Sequence, residues 1–150
     1  MDTMRKILII LIVIAVGAAG FYFFEKWPKN QVALKPDLIT VVSPRIEDTV
    51  KSPLVIRGKA RGYWFFEATF PIVLTDWDGR IIAEHYAQAQ GEWMTTEFVP
   101  FRSILEFENP VFPGADENHF SRRGYLILKK DNPSGLPEHD DALEIPIRFK

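Results

Sequence analysis

Leu54-Val55-Ile56-Arg57-Gly58-Lys59-Ala60-Arg61 changes character at every second residue. In an extended chain Leu54, Ile56, Gly58 and Ala60 share one face, and Val55, Arg57, Lys59 and Arg61 share the other. A helix would need apolar residues three and four apart, so the stretch reads as a half-buried strand. The C-terminus repeats the pattern: Leu143, Ile145, Ile147 and Phe149 alternate with Glu144, Pro146, Arg148 and Lys150. Proline cannot donate to a ladder, so Pro146 should lie where its nitrogen faces no partner, as at an edge.

Working outward, further strands are expected at Leu38 to Ser43, stopped by Pro44, and at Trp64 to Thr75, bent near Pro71. Others are expected at Arg80 to Ala87, at Thr95 to Phe107 (interrupted by Pro100) and at Arg123 to Lys130. Asp76-Trp77-Asp78-Gly79 has hairpin-turn composition, with Gly79 free to take positive φ. About seven short strands separated by turn signals predict an all-β, immunoglobulin-like β-sandwich over residues 38–150.

The N-terminus obeys another rule. Ile7 to Phe24 holds only apolar residues and glycine. As a helix this run would be about 27 Å long, close to the ~30 Å hydrocarbon core of a bilayer. Arg5, Lys6, Glu25 and Lys26 flank it, and Tyr22 and Trp27 suit the interface. The expected organisation is an N-terminal signal anchor, one transmembrane helix, over 1–26. A linker over 27–37 and the sandwich over 38–150 follow. The short N-terminal tail favours a single-pass membrane protein with its domain extracytoplasmic. The alternative is secretion after cleavage near Val16 to Gly20.

The 150 residues are 47% apolar and carry a net charge of −2, which disfavours both disorder and nucleic-acid binding. Outside the apolar run the balance shifts: residues 38–150 hold 13 basic and 17 acidic side chains. There is no cysteine, which excludes disulfides, thiolate metal sites and a lipid-modified cysteine.

In chain order, the domain resembles the immunoglobulin-like domain of bacterial spore germination proteins, a module often joined to a GerM-type domain. The resemblance rests on Ser52-Pro53-Leu54-Val55-Ile56-Arg57-Gly58-Lys59-Ala60, on Phe66-Glu67-Ala68 and on Asp76-Trp77-Asp78-Gly79. It continues through Phe101, Leu105, Phe107 and Pro110, then Gly124-Tyr125-Leu126 and Ala142-Leu143-Glu144-Ile145-Pro146-Ile147. It implies an extracytoplasmic module without catalytic residues.

The side chains themselves announce little chemistry, and no catalytic residue, cofactor or metal is expected. His85, His119 and His139 form no metal-ligand spacing and read as solvated or locally hydrogen-bonded. The acidic segment 131–141 offers oxygen ligands for calcium but misses the EF-hand spacing, so it reads as a long turn in which Gly135 takes an unusual backbone angle. Glu67, placed in an aromatic strand with no second carboxylate beside it, reads as structural, bonded to loop amides or paired with an arginine such as Arg61.

Aromatic residues are more informative. Tyr63, Trp64, Phe65 and Phe66 are consecutive, so in a strand Tyr63 and Phe65 would oppose Trp64 and Phe66. Trp77, Trp93, Tyr63 and Phe65 are the candidate partner-binding residues, for an envelope protein or glycan. The competing reading puts Trp64 in the core, with Trp77 and Trp93 shielding its ends. The expected function is a membrane-tethered, non-catalytic binding module; the alternative is a structural subunit of a larger envelope assembly, and an enzyme ranks last.

Overall fold

The computed structural model describes residues 34–150. The expected anchor over 1–26 and residues 27–33 of the expected linker lie outside the described residues. Among the described residues no helix is long and apolar enough to cross a membrane.

Eight strands form the domain: β1 (Ile39–Ser43), β2 (Thr49–Val50), β3 (Leu54–Arg61), β4 (Thr69–Thr75), β5 (Ile81–Ala89), β6 (Phe98–Leu105), β7 (Arg123–Lys129) and β8 (Ala142–Phe149). Three single 3-10 turns, Gly62–Trp64, Phe120–Arg122 and Pro137–His139, complete the elements. The ladder order is β1-β3-β6-β5-β4-β7-β8-β2. The all-β class and the alternating strands β3 and β8 are as expected. The two-residue β2 is too short to leave a periodic signal, and it runs parallel to β8 through Thr49–Arg148 and Val50–Phe149.

The ladder nearly breaks between β5 and β6. β5 pairs with β4 along most of its length but with β6 only through Gln88–Arg102 and Ala89–Phe101. At that corner the sheet folds over. β1, β3 and β6 make one layer, and β5, β4, β7, β8 and β2 make the other, an arrangement consistent with an immunoglobulin-like sandwich. Buried side chains from both layers form a single cluster, with Ile39, Ile56 and Phe101 on one side and Phe70, Leu126 and Ile145 on the other. The Phe70 and Phe101 rings meet edge to face at 4.9 Å across the layers.

Of the three prolines inside strands, Pro71, Pro100 and Pro146, the last two sit where a missing N–H is harmless. The Pro146 carbonyl accepts from Glu47 N, so its nitrogen also faces the β2 side, where β8 has no continuous partner. Pro100 points its carbonyl at Gln90, just past the end of β5.

One expected strand is corrected. Trp64 to Thr75 is not continuous, because the chain reverses at Glu67 (φ +48°) and Ala68 (φ +64°). Phe66 and Thr69 exchange backbone hydrogen bonds across this two-residue turn, at 2.9 and 3.0 Å. Positive φ at both central residues matches the twist of a hairpin, but such turns normally carry Asn-Gly, and Glu-Ala gives no such signal. Side-chain directions therefore differ from simple alternation: Trp64 and Phe65 are buried, while Tyr63 and Phe66 are exposed.

Gly58 is required by close packing. A Cβ there would stand 2.2 Å from the Thr40 carbonyl oxygen and 2.6 Å from the Phe101 ring. Gly58→Ala should therefore lower unfolding free energy in urea by about 1–3 kcal/mol, the usual range for overpacking. The Phe66–Thr69 turn responds in the opposite sense. The double change Glu67→Asn, Ala68→Gly should raise stability by about 1 kcal/mol, by relieving non-glycine residues held at positive φ. An unchanged midpoint for either variant contradicts the packing or the turn described.

Candidate functional site

An exposed aromatic group occupies one end of the sandwich. Trp77 comes from the β4–β5 turn; Phe112, His119 and Phe120 come from the long β6–β7 connection. Trp77 and Phe120 meet at 4.6 Å, Phe112 and Phe120 at 5.6 Å, and His119 lies over Phe120 at 4.3 Å. Trp77 and Phe112 meet through Phe120, and all three rings are still wet: Trp77 is 42% exposed, Phe112 48% and Phe120 43%.

Local polar bonds hold this end in place. Asp76 is buried, and its carboxylate accepts from the Asp78 and Arg80 amides and from Arg80 Nε, all at 3.0 Å. Those bonds set the turn that presents Trp77, with Gly79 at φ +77° as expected. On the other loop, buried Ser121 is the pivot. Its Oγ accepts from Phe112 N at 3.2 Å and lies 2.8 Å from His119 Nδ1. The Ser121 amide also donates to Nδ1 at 3.2 Å. A neutral ring with its proton on Nε2 satisfies both contacts. His119 is thus locally hydrogen-bonded, one of the two states expected for it. Arg122 ties the loop down through the Ala115, Asp116 and Phe149 carbonyls.

The four expected contact residues do not form one site. Trp77 stands at the C-terminal end of β4, and Tyr63 and Phe65 precede its N-terminal end. Seven extended residues separate those ends by about 20 Å. Tyr63 is half exposed, while Trp93 is partly buried against the core. Phe65 corrects the expectation: it is 4% exposed and packs edge to face on Phe70 at 5.1 Å, so it belongs to the core. Trp64 is enclosed, as the competing reading had it, and its indole N–H has no acceptor among the described residues. Phe112 and Phe120 were missed, because isolated phenylalanines in an aperiodic loop carry no sequence signal.

At the opposite end, the acidic segment is a closed turn. Asn132 Nδ2 donates to the Leu136 carbonyl and to Asp140 Oδ1, Ser134 Oγ donates to Asn132 Oδ1, and Gly135 adopts φ +67°. Asp141 is paired with Lys35. Among the described residues no three His, Cys, Asp or Glu side chains converge as metal ligands do. Glu67 departs from its expected setting. It is exposed at the tip of the Phe66–Thr69 turn, and Arg61 instead bonds the Asp37 and Thr96 carbonyls. The Asp131 amide donates to the Trp64 carbonyl, and the Glu67 charge acts on the Asp131 carboxyl.

Burial raises the Asp131 carboxyl above its ordinary pKa; the Asn132 amide opposes this, and the Glu67 charge adds to it. A raised folded-state pKa means that protonation favours the fold. Ionised Asp131 therefore costs stability at neutral pH, and the cost fades as pH falls through its folded pKa. Asp131→Asn should raise the melting temperature at about pH 7, with the gain shrinking toward pH 4 and below, near the ordinary carboxylate range. A gain independent of pH contradicts this assignment.

No curated protein and no solved structure is significantly similar to the chain. Residues 38–117, which span β1 to β6 and the aromatic Phe112, match the Gmad2 family, described as the immunoglobulin-like domain of bacterial spore germination. β7 and β8 lie beyond the matched residues and complete the β4 layer. With that match over more than half of its length and a sandwich that agrees with it, the chain belongs to the family of immunoglobulin-like domains of bacterial spore germination.

Proposed function

We propose that this protein is a non-catalytic binding module of the bacterial cell envelope, held to the membrane through residues 7–24 with its domain extracytoplasmic. Its contact surface is the aromatic end built from Trp77, Phe112 and Phe120, and its partner is an envelope protein or glycan. The observation that carries this reading is three large, exposed rings from two separate loops gathered into one patch. Aromatic side chains of this kind supply large contact area at small entropic cost and dominate recognition surfaces.

A non-catalytic role is supported by how the nearby polar groups are used. The Asp76 carboxylate is occupied by its own turn, and His119 Nδ1 by Ser121. Neither is presented to a substrate beside a second reacting group. The apolar run Ile7 to Phe24 supports the membrane tether.

The test is crosslinking in native membranes from a photoreactive residue at position 112, compared with a Trp77→Ala, Phe120→Ala background. The expected result is a discrete adduct that falls at least about tenfold in the double variant, with the melting temperature within a few degrees of the parent. Peptidoglycan fragments that shift tryptophan emission identify the glycan case. Equal crosslinking in both backgrounds contradicts the aromatic end as the contact surface. Protease added to intact cells should remove the domain; full protection contradicts the extracytoplasmic placement.

A further inference from the structure

A cationic pocket adjoins the aromatic end. Thr49, Glu117, Asn118, Arg122, Arg148 and Lys150 surround about 470 Å³, and Phe149 is the one apolar residue among those lining it. The loop that carries Phe112, His119 and Phe120 also carries Glu117 and Asn118. The 3-10 turn Phe120–Arg122 begins on a ring of the patch and ends on a cation of the pocket, so the two are neighbours.

Local bonds place two guanidinium groups side by side. Arg122 donates to the Ala115, Asp116 and Phe149 carbonyls, and Arg148 donates to the Glu117 carbonyl. Together they grip the carbonyls of three successive loop residues, and each has more N–H donors than these bonds use. In register, Arg148 of β8 lies opposite Arg123 of β7 and beside Thr49 of β2, so those side chains share one face. Like charges directly opposite one another destabilise a sheet. Yet among the described residues no carboxylate lies within ion-pair distance of Arg122, Arg123 or Arg148. Glu117, the one acid lining the pocket, is exposed and meets Arg148 through its carbonyl, not its carboxylate. Tying down a loop takes donors and needs no charge. Residues 38–150 hold 17 acidic against 13 basic side chains, so a cluster of cations without a carboxylate stands out against the domain's own charge and suits an anion from outside.

We propose that this pocket is an oxyanion subsite for the carboxylate or phosphate of an anionic glycan, whose sugar ring lies on the aromatic end. The subsite deepens the binding role proposed above, on which it rests, and makes the partner a charged glycan. Guanidinium groups match both oxyanions with paired, charge-assisted hydrogen bonds. The Thr49 hydroxyl and the Asn118 amide suit the hydroxyl and amide groups of a sugar, and the exposed rings of Trp77 and Phe120 offer it apolar faces. A lining this polar favours a sugar over a protein segment, whose apolar residues would find only Phe149 there.

The test titrates the full chain in mild detergent with three sugars that share one ring: N-acetylglucosamine, its phosphate ester, and N-acetylmuramic acid, which adds a carboxylate. Amide shifts at Asn118 and Arg148 report binding. The anionic sugars should bind at least about tenfold more tightly than the neutral one, an advantage that fades as salt rises. Arg148→Gln should remove most of that advantage, and Lys150→Gln, at an exposed side chain, about threefold of it, with the melting temperature within a few degrees of the parent. Trp77→Ala should weaken all three sugars alike. The proposal is overturned if neither anionic sugar binds more tightly than the neutral one, or if Arg148→Gln leaves the advantage intact. A Trp77→Ala effect without charge preference keeps the aromatic contact surface and overturns the subsite. Charge preference indifferent to Trp77→Ala keeps the subsite and overturns the aromatic surface. Inorganic phosphate bound as tightly as the sugar phosphate, or a tetra-aspartate peptide bound more tightly than either anionic sugar, overturns the glycan assignment.

Discussion

The Phe70 ring packs in T-shaped contact with Phe65 at 5.1 Å and with Phe101 at 4.9 Å, and this cluster joins the two layers where the ladder is weakest. β5 gives β6 only two residue pairs, so backbone hydrogen bonds alone do not hold the layers face to face. Side-chain packing must do it, in a domain with no cysteine to cross-link it. Edge-to-face pairs contribute about 0.5–1.5 kcal/mol each beyond the area they bury. Gly58 belongs to the same arrangement, since the Phe101 ring occupies the space a side chain there would need.

Both ends of the sandwich depend on that core. β4 holds Phe70 near its start and delivers the Asp76–Gly79 turn at its finish. Asp76 then fixes the turn from beneath, Trp77 projects from it, and Ser121 aligns Phe112 and His119 on the facing loop. The aromatic end is therefore held by hydrogen-bonded supports beneath both of its loops.

Strands β3 and β8 were legible because one face of each is buried and the other wet, which imposes period two on the residues. The Phe66–Thr69 turn was not, because Glu67 and Ala68 hold positive φ through their context rather than their own preference. That one turn explains why Phe65 was expected on the surface and lies in the core. Trp77 was legible as a turn residue on a hairpin. Phe112 and Phe120 were not, because their contact with it arises from two loops more than thirty residues apart in the chain, and no local pattern encodes such a meeting. The Glu67 charge acts on Asp131 for the same reason, through the bond of the Asp131 amide to the Trp64 carbonyl.

The sheet folds over at the β5–β6 corner and is held there by the Phe70 contact. Nuclear Overhauser spectroscopy with labelled phenylalanine rings measures that directly. Strong cross-peaks are expected between the Phe70 and Phe101 ring protons, as their 4.9 Å separation requires. Absence of those cross-peaks in a protein that keeps its β4–β5 and β3–β6 ladder contacts would mean that the Phe70 contact does not hold the corner closed.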